Sequence, residues 1–285
     1  MKNIFLVFII PALLLTCANQ PENILVDSVI EPKEIMVKEG TTVLTRFNPP
    51  DSFVRLVADS NSFAFFLRSF PLKKDGSKVL LYNGEEKFFQ AGVAAVLDID
   101  VGTKDLQQCA DAVMRLRAEY LYQHEMYSKI HFNFTNGFMA DYIKWAEGSR
   151  VKISGNNTSW YAGAEKDYSY ENFRKYLELV FSYAGTLSLS KELKTISVDS
   201  IVAGDVFIYG GSPGHAVIVT DVAQHIRTGE RVFMIAQSYM PAQNIHLLRN
   251  LNDLNISPWY NLKGTDLLLS PEWTFKKSQL KRFAD

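Results

Sequence analysis

Cysteine is nearly absent from this chain. In 285 residues there are two, Cys17 and Cys109, too few for a disulfide framework or for a pair of CxxC motifs that would hold zinc or run redox chemistry. Charge of one sign is also lacking. The net charge is -1, which excludes the basic surplus of a nucleic-acid surface. Past the N-terminus no apolar run approaches the roughly 20 residues of a membrane span. HExxH, Walker and GxGxxG motifs are missing, so zinc-protease, nucleotide and dinucleotide chemistries have no foothold. No internal repeat, low-complexity run or second linker divides the chain. What is present is apolar mass, 47% hydrophobic and 13% aromatic, enough to bury a large core and to exclude global disorder.

The first residues have the layout of a secretory signal: Lys2, an apolar core from Ile4 to Leu15, then Leu14-Leu15-Thr16-Cys17. That ending resembles the bacterial lipobox, with Thr16 in place of the usual small residue. The resemblance implies that Cys17 is the lipidated first residue of a mature protein anchored to a bacterial membrane. The cell envelope, on the outer-membrane or periplasmic side, is the expected location. An ordinary cleaved signal with an incidental cysteine is the other reading, and both export the chain. The expected organisation is therefore residues 1–17 as signal, 18–45 as a polar tether with Pro21 and Pro32, and 46–285 as one domain. Cys109 is then a lone thiol, either a buried small hydrophobe or a reactive group.

Periodicity places the elements. A short helix is expected over 62–70, halted by Pro71. A hairpin is expected around Asn83-Gly84, with arms at 79–82 and 87–100. Asp98 and Asp100 share one strand face there, and a solvated face accounts for them better than a metal site. The longest helix signal runs from Lys104 to Glu125. It puts Cys109, Ala110, Val113, Leu116, Tyr120 and Leu121 on one stripe, and Gln108, Asp111, Arg115 and Glu119 opposite. Arg117 interrupts the stripe, so it is either a structural ion-pair partner or part of a polar site. An aromatic and amide-rich region occupies 130–153. Ser169 caps a helix over 170–184, with Gly185 as its stop.

The stretch GDVFIYGGSPGHAVIVTDV, Gly204 to Val222, reads as two strands joined by a turn. Further strands are expected at 232–236 and 245–248. Gly210-Gly-Ser-Pro-Gly214 matches G-x-S-x-G formally, yet a strand comes next where a nucleophile elbow requires a helix. His215 stands where turn becomes strand, a place from which a rigid sheet aims a reachable side chain. A cysteine nucleophile needs an imidazole base, and the imidazole needs a third polar group to fix its tautomer. Cys109 and His215 supply the first two. Gln237, Asp205 or Asn244 can supply the third.

The order of helical cysteine, Gly204-Asp205-strand, Gly214-His215-apolar strand and a strand ending in a polar group resembles the NlpC/P60 and CHAP branch of papain-like hydrolases. QQCADAVMRLRAEYL, HFNFTNGF, YAGTLSL and AQSYMPAQ resemble, more closely, a Bacteroidota lipoprotein family catalogued as domain of unknown function 4846. The first resemblance implies an α+β fold, with an antiparallel sheet, packed helices and a papain-like (NlpC/P60-type) core carrying an inserted aromatic-rich region. It implies an exported, lipid-anchored cysteine peptidase or amidase acting on cell-wall peptide or a related amide. In that reading Cys109 attacks, His215 is base then acid, and Gln237 orients the imidazole. Arg117, Ser212 and Ser238 are the candidate substrate contacts, and no metal or cofactor is expected. The alternative is a non-catalytic lipoprotein that binds glycan or peptide, with Cys109 in the core.

Overall fold

The apolar residues of the central strands alternate, and the alternation decides which layer each one enters. A computed structural model describes residues 34–284; the signal, Cys17 and most of the tether lie outside the described residues. In chain order the first elements are α1 (Val43–Arg46), β1 (Phe53–Arg55), α2 (Phe63–Arg68), β2 (Val93–Val96) and α3 (Cys109–Gln123). Two hairpins come next, β3 (His131–Asn133) with β4 (Met139–Asp141), and β5 (Ser149–Ser154) with β6 (Asn157–Ala162). Between them lies α4 (Tyr142–Ala146), and after them α5 (Tyr170–Tyr183), α6 (Thr186–Glu192) and β7 (Lys194–Thr195). The remaining strands are β8 (Val206–Tyr209), β9 (His215–His225), β10 (Arg231–Gln237), β11 (His246–Leu248), β12 (Leu267–Leu269), β13 (Thr274–Lys276) and β14 (Leu280–Arg282).

Eight strands form one sheet in the order β2-β11-β10-β9-β8-β14-β7, with β1 also on β9. Its pairings are antiparallel, so the molecule is a mixed α and β fold built on an antiparallel sheet. Val206, Ile208, Ala216, Ile218, Met234 and Ala236 enter the helical layer with Val113, Leu116, Phe173 and Leu177. Their neighbours Phe207, Val217, Val219, Phe233 and Ile235 enter a second layer with Leu268, Phe275 and Leu280. Midway along β9 the register against β10 slips, Val219 facing Ile235 and Asp221 facing Met234. Thr220 is the extra residue, and one extra residue reverses the facing of every later side chain in the strand. Val222 accordingly joins the second layer and Ala223 the first.

Four local expectations change. The long helix starts at Cys109, not near Lys104, because Asp111 Oδ2 accepts the Gln108 N–H at 2.9 Å and fixes the first turn there. Its expected polar face is inside the protein: Asp111, Arg115 and Glu119 are all buried. Arg115 Nε donates to Glu119 Oε1 at 2.6 Å, and its other nitrogens reach Gln107, Asp100 and Tyr170. The turn at Gly84 forms with φ +89°, but its arms meet in a single bridge, Leu80 to Glu86. The second arm pairs instead with β11, since a sheet edge offers a continuous ladder that a lone hairpin lacks. The folded unit also begins before residue 46. Met36 bridges to Phe47, and Val43 is fully buried. Ser169 caps α5 as expected, its Oγ accepting Asn172 N–H.

Candidate active site

His215 opens β9 opposite Tyr209 of β8. The turn before it must be glycine-rich for lack of room. A Cβ on Gly214 would lie 2.2 Å from Thr186 Oγ1 and 2.6 Å from Gly211 O, far inside contact distance. The imidazole is 1% exposed and boxed by rings, Tyr239 edge-on at 4.9 Å, Trp273 at 5.3 Å and Phe275 at 5.8 Å. Its Nε2 lies 2.8 Å from Gln237 Oε1. Gln237 Nε2 in turn donates to Glu272 Oε2 at 2.6 Å, and Lys87 Nζ donates to Glu272 Oε1 at 2.5 Å.

This relay of bonds settles the tautomer. A carboxylate paired with a lysine only accepts, so Gln237 presents its NH2 to Glu272 and its oxygen to His215. An amide oxygen only accepts, so His215 Nε2 carries the hydrogen and Nδ1 carries the lone pair. Nδ1 has no hydrogen-bond partner among the described residues and remains the basic nitrogen.

Cys109 is the first residue of α3, half-buried, and it lines the same cavity as His215, about 430 Å³ in volume. Asp111, Gly185, Thr186, Ser212, Tyr239 and Trp273 form other parts of the wall. Burial, and after it the Asp111 carboxyl, pushes the thiol up to about 11. The backbone N–H groups of Ala110, Ala216 and Cys109 itself pull the other way, which sets the residue after His215 against the sulfur. Burial lowers His215 to about 4, the Gln237 bond opposing and the Lys87 charge assisting. At neutral pH the site therefore holds a neutral thiol and a neutral imidazole. Among the described residues no hydrogen bond joins them. A larger cavity, about 540 Å³, lies between α2 and α5, walled by Phe65, Phe66, Glu119, His124 and Tyr170, and contains no cysteine.

Of the residues expected from the sequence, Cys109, His215 and Ser212 meet at one cavity, with Gln237 behind the imidazole. Arg117 does not join them. Eight residues along α3, about 12 Å from its start, it lies over the rings of Phe63, Tyr120 and Phe283 and lines a separate cavity with Glu192. Ser238 is buried and off the cavity wall. Its Oγ lies 2.8 Å from Gln107 O and 2.9 Å from Gln243 O, tying two loops together. Asp205 holds Arg282 at 2.6 and 2.8 Å, and Asn244 Oδ1 takes the Leu80 N–H; neither reaches the imidazole. Asp100 accepts from Arg115 and Arg174, and no group of three or more His, Cys, Asp or Glu side chains placed to hold a metal ion occurs among the described residues.

Sequence reasoning misses Lys87, Glu272 and Asp111. The first two stand 185 residues apart, beyond any local spacing. Asp111 does carry a signal, an acid three residues after a helix-start position, which marks Gln108 as the cap.

No curated protein and no solved structure matches this chain. A family model described as Domain of unknown function (4846) matches residues 43–282, a span that includes Cys109, His215, Gln237, Glu272 and Lys87. The chain therefore belongs to that family.

Proposed function

We propose that this protein is a cysteine hydrolase of papain-like mechanism, exported and lipid-anchored through Cys17, that cleaves an amide bond in cell-wall peptide or a related substrate. The observation that carries this reading is the orientation of His215. A Gln237 amide locked by Glu272 and Lys87 puts a lone pair on Nδ1, at the cavity that Cys109 lines. A helix start next to an imidazole of fixed tautomer is the setting in which a thiol acts as nucleophile. On attack the Sγ proton passes to Nδ1, sulfur bonds the carbonyl carbon, and the amide nitrogen leaves with the proton returned by the imidazolium. Water, deprotonated by the same nitrogen, then splits the thioester and frees the thiol.

The experiment is incubation of the purified protein with peptides released from cell wall, read by mass spectrometry. New cleavage products are expected from the wild type and none from C109A or H215A. Products that survive in both variants, or a wild type that cleaves nothing while retaining the peptides, overturn the reading. The second outcome belongs to a glycan- or peptide-binding lipoprotein, which the neutral, burial-raised thiol favours.

A further inference from the structure

Asp111 stands two residues along α3 from Cys109, in the wall of the same cavity, and has no part in the reaction above. Its Oδ2 is occupied by the Gln108 N–H at 2.9 Å. Its Oδ1 is buried without a hydrogen-bond partner among the described residues, on a side chain of a residue only 6% exposed. No lysine or arginine lines the cavity; its other acid, Asp105, is exposed and accepts from Ala242 N–H and the Gln108 side chain. A buried carboxyl with no cation beside it keeps its proton, and burial holds Asp111 well above the ordinary carboxylate range. With Oδ2 already accepting, the proton sits on Oδ1, the oxygen without an acceptor. The N–H groups of Cys109 and Ala110 open the helix at the same place, outside its hydrogen-bond ladder.

We propose that Asp111 donates a hydrogen bond from Oδ1 to the carbonyl oxygen of the group that Cys109 attacks, and holds that oxygen as it gains negative charge. The proposal rests on the cysteine-hydrolase reading and adds a catalytic residue to it. A carboxylate in this position would repel the developing oxyanion. A carboxylic acid stabilises it by donating a hydrogen bond. With Oδ2 held by Gln108, Oδ1 is the oxygen left to meet the carbonyl, and a ligand must open the closed wall around it to do so.

The test uses p-nitrophenyl acetate, a small activated ester that needs no peptide recognition. The thiol proton goes to His215 Nδ1, sulfur bonds the acetyl carbon, and nitrophenolate leaves and is read by its colour, with acetyl-Cys109 confirmed by mass. D111N keeps a donor and the acceptor for Gln108, whereas D111A keeps neither. Acylation is expected to fall by about a hundredfold in D111A and by less than about tenfold in D111N, through kcat more than KM. D111A equal to wild type, or D111N as slow as D111A, overturns the proposal. The parent reading fails separately, when C109A releases nitrophenolate as fast as wild type. If D111A does not fold, as a thermal melt will show, D111N decides alone: a loss of about a hundredfold there means that the charge, not the donor, was needed.

Discussion

At the scale of single residues, the two groups that would react are held neutral by burial, and a second pair, Gln237 and Glu272, sets the orientation of the imidazole. Glu272 touches neither sulfur nor imidazole, yet it decides which end of Gln237 faces His215. In E272Q the new amide can donate as well as accept, so Gln237 is free to turn and to present NH2 to Nε2. Turnover or ester acylation is expected to drop on the order of tenfold or more, with KM little changed, since a wrong tautomer disables the base and leaves the cavity intact. An unchanged rate would show that His215 needs no such anchor. The pH profile is set by the same burial. With the imidazole at about 4, kcat/KM is expected to rise through that value and to fall on the alkaline side at the thiol's about 11, or lower where Asp111 loses its proton. A rising limb near the ordinary imidazole range would contradict a buried His215.

At the scale of elements, the bulge at Thr220 has its own support. Asp221, the next residue, is fully buried and accepts from Arg55 Nε of β1 at 2.6 Å and from Arg68 Nε of α2 at 2.7 Å. One carboxylate thus clamps a strand and a helix to β9 where its facing reverses. Removing the acid leaves the buried guanidinium of Arg68 and the half-buried one of Arg55 without their carboxylate, so D221A is expected to cost about 3 kcal/mol. Urea unfolding measures it, and a loss under about 1 kcal/mol would mean that water replaces the carboxylate. Elements of this kind also show what is legible in the sequence. The β8–β9 pair, the Ser169 cap of α5 and the strand ending at Gln237 are local patterns, and the structure has all three. The hairpin at Asn83-Gly84 reads equally well, but only its turn survives, because β11 competes for the arm. The start of α3 lies later than periodicity places it for a similar reason. Helix propensity over 104–108 is adequate, and a tertiary contact, Ser238 Oγ to Gln107 O, holds that segment as a loop.

At the scale of the whole molecule, the core contains more polar chemistry than its composition suggests. His215 and His246 are both buried and neutral, lowered to about 4 and about 3 chiefly by burial. A histidine whose folded value lies below its unfolded one binds its proton first in the unfolded chain. The stability it represents is complete above about 6.5 and is lost as pH falls toward the folded value. For His215 this amounts to about 3 kcal/mol at 1.36 kcal/mol per pKa unit. The raised carboxyl of Asp111 works in the opposite direction. The histidine contribution is therefore isolated by comparison: the fall in Tm between about pH 7 and about pH 4 is expected to be smaller in H215Q than in wild type. Equal falls would show that His215 takes up its proton in the folded state without penalty.

The parts of the candidate site are spread unevenly along the chain. Lys87, Cys109, His215 and Gln237 precede the C-terminal hairpin, whereas Glu272 and Trp273 belong to it. A polypeptide is made from its N-terminus, so the thiol exists long before the residues that orient and box in its base. Until β12 and β13 dock, Gln237 has no carboxylate to point at, and His215 is open to solvent on the side that Trp273 later covers. Orientation of the imidazole is thus a late event in the making of the chain, for it waits on the same C-terminal residues that supply β14 to the sheet.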